Sequence, residues 1–207
     1  FFAFVGGMRE VVSYPWSNDK LINAAGLDAV AVPRISGAPS EQDRLRPSLI
    51  PNLLQLTAFN LRNMTRFCMF EIGTAFSLQA DGKGIHEDRR IAVVITGESP
   101  EDMFRELKGL ITNSARVCQF GSITITADCK APWADPYGCV GLSINTHIGD
   151  IYIGDLAVLR TRAMRIAGIK HAQIVACEFS LDQLKVLPSR ENRYTLVPEF
   201  PHVVNDL

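Results

Sequence analysis

No stretch of this sequence approaches the roughly 18 consecutive apolar residues that a membrane-spanning helix needs. The opening Phe1-Phe2-Ala3-Phe4-Val5 lacks the basic flank and length of a signal peptide. An excess of one charge is lacking too, since Lys and Arg number 21 against 22 Asp and Glu and the pI is about 6.5. That balance removes the bulk field which drives nucleic-acid binding, so such a role would need a local patch. The five cysteines, Cys68, Cys118, Cys129, Cys139 and Cys177, include no CxxC pair. Zinc sites need ligands paired at short spacing, so these read as reduced core thiols and predict a cytoplasmic setting. His86, His147, His171 and His202 are scattered without a second ligand at metal spacing and read as surface or cap residues. There is no GxGxxG, no GxxxxGK[ST], no nucleophile elbow, no internal repeat and no low-complexity tract; Gly82-Lys83-Gly84 is only a weak phosphate cradle in a charged hairpin. The first residue is not Met, which reads as an excised fragment.

What is present is organised around Leu45-Arg46-Pro47-Ser48-Leu49-Ile50-Pro51-Asn52-Leu53-Leu54, continuing through Phe59-Asn60 and Arg62 into Arg66-Phe67-Cys68-Met69-Phe70-Glu71-Ile72-Gly73. Apolar residues from Leu49 to Leu61 recur at helical spacing, and Phe67 to Ile72 has the length and aromatic content of a strand. Arg46, Arg62, Arg66 and Glu71 are charges among apolar neighbours, where an ion costs several kcal/mol unless it finds a partner. They mark either a site or an internal ion pair. Glu71 with Arg66 would suit a charged ligand; a strand-edge pair of Glu71 with Arg46 or Arg62 is the structural reading.

Phe1 to Val5 reads as the end of a helix, Glu10 to Tyr14 as a strand, and Asn18 to Ala25 as a helix capped by Ser17 and closed by Gly26. Ala29 to Val32 is a brief strand and Pro33 to Arg44 a loop. Ala80 to Arg90 reads as an exposed hairpin connection, and Arg90 to Thr96, apolar on both faces, as a central strand. Ser99-Pro100-Glu101-Asp102 carries a capping hydroxyl, proline at the first helical position and acids in the first turn. Met103, Phe104, Leu107, Leu110 and Ile111 then share a helix face. Ser122 to Ala127, Cys139 to Ile144 and Ile148 to Ile153 read as strands, with a loop over residues 130–136. In that loop Trp133 and Tyr137 either form a recognition surface or close over a core. Leu156 to Ala167 reads as a helix with basic residues along one side, Ala172 to Phe179 as a buried strand, and Leu181 to Leu184 as a turn capped by Ser180. From Pro188 the text is polar and proline-punctuated, as in a linker. Strands joined by loops too short for crossover helices predict an α+β fold with a largely antiparallel sheet and helices packed on it.

The residues Arg9-Glu10-Val11-Val12-Ser13-Tyr14, Leu45 to Leu54, Phe59-Asn60 and Phe70-Glu71-Ile72-Gly73-Thr74-Ala75-Phe76 together resemble the catalytic-like module of the bacterial-type phenylalanyl-tRNA synthetase beta subunit. Glu106-Leu107-Lys108-Gly109, Ile153-Gly154-Asp155-Leu156, Cys177 to Leu184 and Phe200-Pro201…Asp206-Leu207 extend the likeness over nearly the whole chain. The chain departs from the pattern at Asn52, where a glycine is common, at Asn205, where arginine is usual, and before Arg46, where an asparagine-proline is missing.

The resemblance implies a class II aminoacyl-tRNA synthetase-like antiparallel sheet flanked by helices, with residues 1–195 as the core and 196–207 as the start of a linker to an anticodon-binding domain. It implies a non-catalytic structural module that assembles with the catalytic alpha subunit in an α2β2 phenylalanine–tRNA ligase. ATP and Mg would be used by alpha, and tRNA(Phe) would be bound by the complete enzyme. No cofactor, metal or membrane is expected for the module itself, which would self-associate through uncovered apolar faces. The Glu71 strand resembles motif 2 of class II enzymes, but no Gly-rich motif 3 ending in arginine occurs; Phe179-Ser180-Leu181-Asp182 stands in its place. On this reading Arg46, Arg62, Arg66 and Glu71 are structural or interface residues. The alternative is a stand-alone synthetase paralogue that binds tRNA, a nucleotide or an amino acid.

Overall fold

The computed structural model describes residues 1–28, 32–37, 41–79, 82–146, 149–185 and 187. The predicted strand at Ala29 to Val32, apart from Val32 itself, and the tail beyond Pro188 lie outside them, as do His147 and His202. In chain order the elements are β1 (Arg9–Glu10), β2 (Trp16–Ser17), α1 (Asp19–Ala24), β3 (Arg44–Leu45), α2 (Ile50–Asn60), β4 (Phe67–Leu78), β5 (Ile85–Gly97) and α3 (Pro100–Cys118). They continue with β6 (Ile123–Thr126), β7 (Ala134–Thr146), β8 (Gly149–Leu159), α4 (Thr161–Ile166), β9 (Gln173–Ser180) and α5 (Asp182–Lys185).

Seven strands form one sheet in the order β1-β4-β5-β9-β8-β7-β6. Every pairing is antiparallel except β1 with β4. This is the α+β architecture with a largely antiparallel sheet that the strand spacing predicts. The central strand β9 is buried from Ile174 to Ser180, as a strand covered on both faces must be. One face, with Phe70, Val93, Leu156 and Cys177, packs under α3 through Met103, Leu107 and Ile111. The other, with Met69, Ala92, Val94 and Ala176, packs under α2 through Leu49, Ile50, Leu53 and Leu54, with Ala25, Ala163 and Met164 beside them.

The helix starts follow their chemistry. Ser99 caps α3, its hydroxyl accepting from the Asp102 N–H at 3.3 Å. Ser180 accepts from the Gln183 N–H at 3.1 Å. For α1 the cap is Asn18, not Ser17: its side-chain oxygen reaches the Leu21 N–H at 2.7 Å, whereas Ser17 is held in β2. Gly26 ends that helix at φ +74, and a Cβ there would lie 2.6 Å from the Pro132 carbonyl.

Four boundaries differ from the sequence reading. Phe1 to Val5 forms a single turn, with the Val5 N–H bonded to the Phe1 carbonyl, and Phe2 packs on Phe70. The strand expected at Glu10 to Tyr14 stops at Glu10; the Val11 N–H still reaches Phe70, after which the chain swings to bring Ser13 onto Glu71. The β4–β5 hairpin is longer than its apolar text, because pairing continues to Leu78 and Ile85 through polar residues exposed to solvent. Leu156 to Leu159 belongs to β8, and the helix starts at Thr161. Leu156 and Ala157 bury against opposite faces, and pairing with Cys177 and Ala176 of β9 decides between the helical and extended readings of that apolar run.

Leu107 is fully buried where α3 meets the sheet. Leu107→Ala should lower the unfolding free energy by about 2–5 kcal/mol, read as a shifted urea midpoint with unchanged slope.

Candidate functional site

On the face beneath α2, charge gathers at one end of the sheet. Strand alternation points Glu71 from β4, Arg90 from β5, Asp155 from β8 and Glu178 from β9 to this side, all next to the start of α2.

The first cluster joins Arg46 and Glu71 at 2.7 Å, with side chains only 4% and 1% exposed. Burial of this depth demands further partners. The Arg46 guanidinium also donates to the Thr74 carbonyl at 2.9 Å and to the Ser13 hydroxyl at 2.7 Å. Ser13 in turn donates its hydroxyl and its N–H to the Glu71 carboxylate. Asn52 donates to the carbonyls of Tyr14 and Trp16, each at 2.9 Å. Gly73 makes this possible, since a Cβ there would run into the Arg46 guanidinium lying over the strand.

The second cluster centres on Glu178. Helix α2 has no side-chain cap of its own, and Glu178 supplies one from β9: it accepts from the Leu49 N–H at 2.6 Å and from the Ser48 hydroxyl at 2.9 Å. A carboxylate at a helix N-terminus is favoured by the unpaired N–H groups and the dipole. Arg90 reaches Glu178 at 3.2 Å and Asp88 at 2.7 Å. Burial alone would lower the Arg90 pKa, but Glu178 and Asp88 outweigh it and raise it, so the guanidinium stays charged.

The third centres on Asp155, which accepts from the Lys130 N–H at 2.9 Å and from the Tyr152 hydroxyl. Burial, then the hydrogen bond to Asp155 and its charge, push the Tyr152 phenol well above its ordinary value, so it remains a donor. The Lys130 ammonium lies 4.3 Å from the centre of the Tyr152 ring.

Between the second and third clusters is a cavity of about 200 Å³, walled by Ser48, Lys130, Trp133, Tyr152, Asp155 and Glu178. Drug- or cofactor-sized sites typically occupy about 300–1,000 Å³. The two carboxylates in this wall would repel a triphosphate, and the Arg90 cation is already engaged with Glu178 and Asp88. Among the described residues no group of three or more His, Cys, Asp or Glu could hold a metal ion.

Of the four charges singled out in the sequence, the structure brings two together. Arg46 and Glu71 meet in the core; Arg62 and Arg66 do not join them and are not embedded. Helix α2 ends at Asn60, and the turn that follows leaves both arginines exposed. Arg62 lies over the Phe59 ring at 5.6 Å, and Arg66 pairs with Glu106 of α3 at 2.7 Å with its side chain 63% exposed. Trp133 and Tyr137 also separate, one buried in the cavity wall and the other 98% exposed. The sequence reading missed Ser13, Ser48, Asn52, Arg90, Tyr152, Asp155 and Glu178. The available signal for Glu178 was a single acid in an otherwise apolar central strand.

This sheet is the class II aminoacyl-tRNA synthetase fold. Two solved structures of pyrrolysyl-tRNA synthetase from Desulfitobacterium hafniense share it, with TM-scores of 0.68 and 0.69 at 17% identity; they cover 87% of this chain, and the matched part is 60% and 63% of theirs. Within that class the chain belongs to the phenylalanyl tRNA synthetase beta chain CLM domain family, whose model matches residues 4–181. Relatives are the phenylalanine–tRNA ligase beta subunits of Oleidesulfovibrio alaskensis, 26% identical over 97% of this chain, and Moorella thermoacetica, 25% identical over 99%. That of Bacillus subtilis is 22% identical over 97%. The chain spans about a quarter, 26%, of the length of each of these relatives.

Glu71→Ala would leave the buried Arg46 guanidinium without its counter-ion. We expect a loss of about 3–5 kcal/mol in urea unfolding, partly recovered by adding Arg46→Met. Equal losses in the single and double variants would contradict the coupling.

Proposed function

We propose that this module is a non-catalytic structural core of a phenylalanine–tRNA ligase beta subunit, assembling with a catalytic alpha subunit that uses ATP and Mg to charge tRNA(Phe). The observation that supports it best is the state of the charged end of the sheet. Glu71, Asp155 and Glu178 are each satisfied by protein donors, and Arg46 and Arg90 are each paired. Groups free to receive a nucleotide phosphate or activate an amino acid would need open valences there, and the cavity is small and lined by carboxylates.

Assembly is supported by apolar side chains left open along the β1 edge. Phe4, Val5, Val12 and Tyr14 in the N-terminal segment are exposed, with Ile72 of β4 partly so. Apolar surface of this kind marks association sites, with the alpha subunit as the partner and self-association as the expected behaviour of the module alone. Arg46 and Glu71 act here as internal anchors that hold the N-terminal segment in place, while Arg62 and Arg66 are surface residues.

Mixing full-length beta chain with alpha subunit and measuring the mass by light scattering should give an α2β2 particle. A beta chain that never associates would sink the assembly reading. Calorimetry of the beta chain alone with ATP and phenylalanine should give no heat of binding; clear binding would favour a stand-alone nucleotide or amino-acid binder instead.

A further inference from the structure

Residues 160–171 contain Arg160, Arg162, Arg165 and Lys170 and no acid, in a chain whose overall charge is −1. Arg160 is engaged with the Ala134 carbonyl at 2.6 Å. Arg162 and Arg165 are exposed and stand three residues apart on α4, so they share a helix face. The chain after α4 forms one wall of a groove of about 410 Å³, and the turn after α2 forms the other. The floor is apolar, with Ala58, Leu61, Met64 and Ile169, while Arg62, Lys170 and His171 stand with Glu98 among the lining residues. Among the described residues Arg62, Arg162, Arg165 and Lys170 have no ion-pair partner.

We propose that this groove and the basic face of α4 form a binding surface for a single-stranded segment of RNA, with phosphates on Arg162, Arg165 and Lys170 and one base in the groove. Three features select this ligand. Cations spaced one helical turn apart match successive phosphates better than a single anion. A planar base needs an apolar slot wider than the charged cavity beside α2, and this groove is about twice that volume. The last carbonyls of α2 carry partial negative charge towards the groove, which disfavours a phosphate at the floor and favours the amino edge of a base. Stacking and cation contacts of this kind underlie single-strand recognition. The surface lies at the opposite end of β5 and β9 from the charged cavity, at the Gly97 and Gln173 pair, and does not depend on the assembly proposed above.

The test uses the full-length beta chain in complex with its partner subunit and a fluorescent 12-nucleotide RNA carrying 4-thiouridine. Crosslinks should map to peptides containing Met64-Thr65 or Ile169 to Ala172. Arg165→Glu with Lys170→Glu should abolish those crosslinks and weaken binding at least tenfold. It should also flatten the dependence of log affinity on log salt by about 1.4, roughly 0.7 for each of two lost phosphate contacts. Lys108→Glu with Arg116→Glu, the same charge change on α3 across the sheet, should leave binding unchanged. Ala58→Phe, which fills the groove without altering charge, should weaken RNA but not inorganic polyphosphate. Matched thermal melts and particle masses separate loss of the surface from misfolding or failed assembly. Crosslinks found only elsewhere, equal weakening by both charge-reversal pairs, or a polyglutamate peptide that competes as well as RNA would overturn the proposal.

Discussion

A carboxylate set in the middle of a sheet has to find donors, and the position of Glu178 on β9 constrains much of this structure. It is 6% exposed, and an ion so placed costs several kcal/mol unless its oxygens are met. They are met by the Ser48 hydroxyl, the Leu49 N–H and Arg90, which means that α2 must begin at this point and no other. Because Leu49, Ile50, Leu53 and Leu54 bring a core face with them, packing on that side follows from one capping interaction. Arg46 and Glu71 add a second anchor on β4, separated from β9 by β5 in the sheet. One attachment would let the segment pivot; two on different strands fix both its place and its rotation.

The same arrangement explains the chemistry of the cavity. Acid and base are present where a class II fold concentrates its strands, but nearly every oxygen and nitrogen is engaged with the chain itself. Asp155 takes donors from Lys130 and Tyr152, and the phenol is kept protonated by the burial and charge around it. A site that binds a ligand keeps polar groups unsatisfied until the ligand arrives. Here the start of α2 and the loop before β7 fill that role, which makes the charges part of the fold's stability.

The sequence disclosed this unevenly. The start of α3 was legible because its signal, Ser99-Pro100-Glu101-Asp102, is local and chemical. Two-sided apolar text identified β5 and β9 as central strands, and short connections gave the antiparallel sheet. Arg46 and Glu71 stood out because both lie in apolar surroundings within one stretch. Glu178 and Ser48 are 130 residues apart, and nothing local in either declares the bond. Leu156 to Leu159 failed for a different reason: burial on both faces removes the alternation that separates strand from helix, and only the neighbouring strand resolves it. Arg62 and Arg66 were misplaced because apolar neighbours in sequence do not ensure burial once a helix has ended.

Helix α2 connects the two polar regions of the molecule. Eleven residues long, it spans about 16 Å at a rise of 1.5 Å per residue. Its positive end meets Glu178 and its negative end opens on the groove where Arg62 and Lys170 stand. Both ends of the dipole are therefore complemented, but in different ways. The carboxylate at the start is buried and bonded, whereas the cations at the finish are exposed and without ion-pair partners among the described residues. Exposed charges near a helix end contribute typically about 0.3–1 kcal/mol, too little to account for the run of basic residues after β8 as a device for stability. Their uncompensated charge is better understood as directed outwards, towards an anion that the chain itself does not provide.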